Sequence, residues 1–148
     1  MPQMSVQGDC YTEVVSILKA DATLSGYVKK VFDGLRENIP HADYPCLCIE
    51  PALLDEKNIW LKKGDFNFTV YVMGYTYAHA EDKDQIVGTG TRKGILDFQE
   101  DTLNALRQNQ TLNGKAIEWD CSRVGYEFRT WPVRGFIMEI VIHARRSY

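Results

Sequence analysis

FNFTVYVMGY, residues 66–75, places Phe66, Phe68, Val70 and Val72 on one side of an extended chain and Asn67, Thr69, Tyr71 and Met73 on the other. Side chains of a strand alternate between two faces, so this pattern predicts a half-buried strand with an apolar core face and a semi-polar face. A strand of that kind belongs in a mostly antiparallel sheet whose other elements cover one side.

The flanking segments supply those elements. Upstream, DCYTEVVSILKA (9–20) carries Tyr11, Val14, Val15, Ile17 and Leu18 at helical spacing, with Asp9 as the expected N-cap. The following ADATLSGYV reads as a turn with a short second helix, and Val31 and Phe32 lead into an Asp33-Gly34 turn. IPHADYP (39–45) holds two of the five prolines and marks a loop. Cys46 to Glu50 then reads as a short strand closed by Pro51. LLDEKNIWLKKGD (53–65) reads as a hairpin arm or long loop with an apolar centre at Ile59, Trp60 and Leu61.

Downstream, TYAHAEDKDQIVGTGT (76–91) is a polar, then glycine-rich connection with room for a helical turn. GILDFQEDTLNALRQN (94–109) restores helical periodicity through Ile95, Phe98 or Gln99, Thr102 and Leu106, and Asn113-Gly114 closes that unit. The remaining alternation falls into three runs: Ile117, Trp119 and Cys121; Val124, Tyr126 and Phe128; Phe136, Met138, Ile140 and Ile142. Three closing strands in an antiparallel meander are expected. The fold class is therefore α+β, a mostly antiparallel sheet with two main helices packed on one face, in a single domain over residues 1–148.

Composition narrows the function. The net charge of -3, with both signs interspersed, gives no whole-chain basic field, which argues against sequence-specific nucleic-acid binding. The longest apolar run, Phe136 to Ile142, is interrupted by Glu139 and falls far short of the roughly 20 residues that span a bilayer, so no membrane partner is expected. MPQMSVQGDC has no basic start followed by an apolar stretch, so no secretion signal is expected and the chain reads as soluble.

VGTGTRKGILDF (87–98) tests the phosphate-binding reading. A dinucleotide loop needs G-x-G-x-x-G after a buried strand, but Gly88, Gly90 and Gly94 are one residue too widely spaced and follow AEDKDQ. A P-loop needs lysine directly after the last glycine and then a hydroxyl residue, whereas Lys93 precedes Gly94. The glycines read instead as a flexible entry to the second helix, with Thr91 as N-cap.

Cys10, Cys46, Cys48 and Cys121 suit neither two disulfides nor a zinc knuckle. Cys46 and Cys48 should face the same side of a strand as small core thiols. His41, His79 and His143 stand at no metal-ligand spacing, and no nucleophile motif accompanies them, so no catalytic residue, metal or cofactor is assigned. Arg123, Arg129, Arg134, Arg145 and Arg146 interleave with Tyr126, Phe128 and Trp131, a mixture that fits either a single-stranded nucleic-acid surface or a protein interface. The net acidity favours the interface. The candidate contact residues are Ile59, Trp60, Leu61, Lys62, Lys63, Arg92, Lys93, Arg129, Trp131 and Arg134.

Five phrases in order, ILKADATLSGYVKKVFDG, the proline-bounded YPCLCIEP, FNFTVYVMGY, GILDFQEDTLNAL and FIMEIVIHARR, span nearly the whole chain. In that order the chain resembles the tail-terminator, or tail-completion, proteins of long-tailed, siphovirus-type bacteriophages. The resemblance implies a small α+β subunit, assembled in the host cytoplasm, that closes into a hexameric ring on the tail tube. It implies an end to tube polymerisation and a surface for joining the head. Its partners would be further copies of itself, the major tail tube protein and the head-tail connector or neck proteins, in the virion at the neck. It also implies no cofactor and no catalysis, and makes the Leu53 to Lys63 arm a contact element. The alternatives are a connector or neck subunit of the same assembly, or a small cytoplasmic enzyme or ligand-binding domain.

Overall fold

The computed structural model describes residues 5–55, 64–77, 82–128 and 133–145. Its elements run α1 (Val6–Ala20), α2 (Ala22–Ser25), β1 (Lys30–Asp33), a 3-10 turn (His41–Asp43), β2 (Cys46–Asp55), β3 (Asp65–Tyr77), α3 (Asp82–Val87), α4 (Ile95–Arg107), β4 (Glu118–Phe128) and β5 (Val133–Arg145). The five strands form one sheet in the order β1-β2-β3-β5-β4, in which only the β1–β2 pair is parallel. The fold is α+β, with α1 and α4 packed on one face.

β3 carries the pattern that defines the fold. Phe66, Phe68, Val70 and Val72 are buried against Val14, Leu18, Phe98 and Leu106 of the helices, together with Phe136, Met138, Ile140 and Ile142 of β5. The opposite face is less polar than the alternation implied. There Met73 and Tyr75 join Cys46, Cys48 and Val133 in a second, smaller apolar cluster, bordered by Phe32, Tyr44, Tyr71 and Ile137. Cys46 and Cys48 do share a face and are fully buried, but in this second cluster and away from the helices. All four cysteines are free thiols, and burial, reinforced by Asp9, pushes the Cys10 thiol up to about 11.

Two glycines let aromatic rings lie flat on the central ladder. Gly74 pairs with Phe136 and Tyr75 with Gly135 in the β3–β5 register. A side-chain carbon at Gly74 would overlap the Phe136 ring, and one at Gly135 would lie 2.6 Å from the Tyr75 ring on the other face. Each ring covers the bare backbone of the glycine opposite, as cross-strand aromatic–glycine pairs do.

Several local expectations are corrected. α1 is capped by Ser5, whose hydroxyl accepts from Gly8 N at 3.1 Å, so Asp9 lies inside the first turn. Val31 and Phe32 form a strand, β1. β2 runs through Pro51 to Asp55, with a register shift between Pro51 and Leu53. Beyond Ile49 no β1 residue remains on its outer side, and an irregular edge is where a sheet tolerates proline.

The expected three closing strands are two. Residues 118–128 form the single strand β4, whose ladder shifts register between Cys121 and Arg123. A bulge adds one residue and reverses the alternation, so Trp119 and Cys121 before it and Val124 after it all pack toward the helix-side core. That reversal imitates a strand boundary in the sequence. β5 then returns beside β3, so the sheet is not a simple meander.

At one end of the β3–β5 ladder the buried carboxylate of Asp65 takes His143 Nε2 at 3.1 Å and Arg145 Nε at 2.5 Å. The Arg145 hydrogen bond, with help from His143, holds the Asp65 carboxyl below its usual range despite the opposing effect of burial. A depressed carboxyl stabilises the fold fully above the unfolded-state value, about pH 4, and that contribution fades as pH falls through the lower folded-state value. Acid unfolding of Asp65→Asn should therefore show a weaker dependence on pH below about 4 than wild type. Equal slopes in chemical denaturation at successive acid pH values would remove Asp65 from the account.

Candidate functional site

The glycine-rich segment folds back on itself before α4 begins. Gly88 has φ of 81° and sits so close to the far end of the segment that a side-chain carbon there would lie 2.6 Å from Arg92 O and Gly94 N. One at Gly94 would overlap Gly88 N and Ile86 O. Thr89 N also donates to Arg92 O at 2.8 Å. Residues 88–94 are thus a closed loop pinched at its two glycine ends, not a flexible entry. Gly94, not Thr91, is the N-cap of α4, without a side-chain bond, while Thr91 N donates to Thr89 Oγ1 at 3.3 Å inside the loop.

This loop walls one side of a cleft of about 840 Å³ at the end of the sheet. The rest of the described lining includes Tyr27 and Lys29 of the α2–β1 link, His41 and Tyr44 beside the 3-10 turn, and Thr76 and Tyr77 at the end of β3. The Tyr77 ring meets the His41 ring edge-on at 4.2 Å and lies 5.7 Å from the Tyr44 ring. Lys93 pairs with Asp101 at 3.2 Å and stands 5.7 Å from the Tyr27 ring, while the Tyr27 hydroxyl donates to the same carboxylate at 2.7 Å. Burial, and next the bond to Asp101, push the Tyr27 phenol well above its ordinary range.

Of the sequence-expected contact residues, the cleft gathers Arg92 and Lys93. Arg134 stands close behind it, its Nε donating to the cleft residue Gln85 at 2.6 Å. Ile59, Trp60, Leu61, Lys62, Lys63, Arg129 and Trp131 lie outside the described residues. The described C-terminal arginines, Arg123, Arg134 and Arg145, do not form one patch. Arg123 pairs with Glu139 at 2.7 Å and Arg145 with Asp65, and Arg134 and Arg145 stand at opposite ends of β5, roughly 35 Å apart at the rise of a strand. Among the described residues no group of three or more His, Cys, Asp or Glu side chains could hold a metal ion, and no helix is long and apolar enough to cross a membrane.

The sheet edges form a second candidate surface. β4 ends the sheet on one side with its outer ladder unpartnered among the described residues; on the other side β1 covers β2 only as far as Ile49, and from Pro51 to Leu54 β2 has no neighbouring strand on its outer side among the described residues. Large apolar side chains sit at both: Tyr126 on β4 is 52% exposed and Ile117 just before it 44%, while Leu53 on β2 is 62% exposed. Sequence reading placed Leu53 at the start of a contact arm but had no signal for which strands are edges, because pairing order is not written locally. Tyr27, Lys29, His41, Tyr44, Thr76 and Tyr77 were likewise missed as one site, since they are scattered through the chain without a motif. No protein-family model matches this chain, and no curated protein matches it.

Proposed function

We propose that this chain is a tail-terminator subunit: a structural protein that binds copies of itself in a hexameric ring, caps the tail tube, ends tube polymerisation and offers the surface that joins the head. The observation that carries the self-assembly is a pair of unlike sheet borders, the outer side of β4 and that of β2 from Pro51 to Leu54, which have no neighbouring strand among the described residues and bear exposed apolar side chains. Unlike edges mate head to tail, and a head-to-tail contact whose rotation closes produces a ring and leaves no edge exposed. The order of sequence phrases along the chain supports the tail-terminator assignment within that class. The dispersal and internal pairing of Arg123, Arg134 and Arg145 support protein contact over a nucleic-acid stripe. The tube, the neck and the virion location follow from the same reading, with binding rather than bond chemistry as the activity.

Native mass measurement and electron microscopy of the protein mixed with tail tubes test this. Rings in solution or on tube ends, and tubes that stop growing once capped, are expected. A strictly monomeric protein that neither caps tubes nor joins virions overturns the proposal.

A further inference from the structure

We infer that the cleft at the end of the sheet is a binding site for a small organic anion, a phosphate or carboxylate group carried on a flat ring. Its volume of about 840 Å³ falls within the range of small-molecule sites, roughly 300–1,000 Å³. Three observations set the ligand's chemistry. Thr76 lines the cleft at 8% exposure, yet its hydroxyl meets no hydrogen-bond partner among the described residues, and an unsatisfied buried hydroxyl is uncommon in a folded protein. It is a donor held ready for an oxygen.

The charge of the lining is the second observation. Lys93 is already engaged by Asp101, but Lys29 and Arg92 meet no carboxylate among the described residues, and Asp97 is the one acid of the described lining. Two cations with no carboxylate partner among the described residues, beside a single acid, give the described lining a positive balance, and a guanidinium suits the fork of a carboxylate or phosphate. Third, the lining includes Tyr44 and Tyr77, whose rings lie 5.7 Å apart, which favours a ligand with a flat apolar body over a bare ion. The pinched loop puts Arg92 in the lining, so the segment that fits neither phosphate-loop template would still offer an anion a guanidinium.

Calorimetric titration of the full chain with four probes tests it: phenyl phosphate, benzoate, inorganic phosphate and phenol. At least one of the two ring-bearing anions should bind about tenfold more tightly than both inorganic phosphate and phenol, and the tighter of the two identifies the headgroup. Arg92→Gln, at an exposed position that leaves the core untouched, should weaken that binding about tenfold, the scale of one hydrogen bond to a charged group. Thr76→Val, which keeps the shape and removes only the hydroxyl, should weaken it as well. Absence of millimolar binding by both ring-bearing anions, binding no tighter than inorganic phosphate or phenol, or affinity unchanged in Arg92→Gln overturns the site.

Discussion

Phe136→Ala is expected to lower the unfolding free energy by about 3–5 kcal/mol, a large part of the ~5–15 kcal/mol that holds a domain of this size. The ring is fully buried at the centre of the helix-side core, packed edge-on against Phe98 with centroids 5.1 Å apart and laid over the bare backbone of Gly74. Its removal opens a cavity between the rigid β3–β5 ladder and α4 that neither wall can collapse to fill. Gly74→Ala supplies the complementary test, since the added methyl overlaps the ring and should cost about 1–3 kcal/mol as overpacking. In the Phe136→Ala background that methyl meets empty space, so its cost should disappear. Denaturant unfolding of the two single variants and the double variant measures this coupling. Additive losses would show that the ring does not lie on the glycine in solution.

Leu53→Lys and Tyr126→Lys should each abolish ring assembly while leaving the fold close to wild-type stability. Both side chains are more than half exposed, and exposed substitutions usually shift stability by less than about 0.5 kcal/mol. Tyr126 adds the loss of its hydroxyl bond to Gln99 Oε1 at 3.3 Å, about 1 kcal/mol more. A lysine on an edge strand blocks pairing with another chain. The head-to-tail geometry makes a sharper claim for the mixture. Leu53→Lys retains an intact β4 edge and Tyr126→Lys an intact β2 edge, so equimolar mixing should restore one good contact and yield heterodimers that grow no further. Analytical ultracentrifugation distinguishes the outcomes. If Tyr126→Lys alone abolishes assembly and Leu53→Lys has no effect, the contact is β4 to β4 and the head-to-tail ring is wrong.

Much of the fold was legible because burial imposes a period on the sequence. The assigned core face of β3 is the buried one, and Ile95, Phe98, Gln99, Thr102 and Leu106 are all buried on α4. The failures share a cause. Pro51 and the phase reversal after Cys121 both looked like strand ends, and both turned out to be ladder irregularities inside longer strands. A bulge is defined by the partner strand, so a single segment cannot distinguish it from a break.

The candidate sites follow the same division. The sequence by itself determined that one apolar face of β3 would meet two amphipathic helices, and that the glycine spacing of 87–98 fits neither phosphate-loop template, since periodicity and motif spacing are local properties. Only the tertiary structure decided that those glycines pinch a closed loop, that Arg92 shares a cleft with Thr76 and Tyr44, and that β4 and the part of β2 beyond β1 lack a neighbouring strand among the described residues. Those features depend on contacts between residues dozens of positions apart, and such contacts form only when the sheet order brings distant segments together.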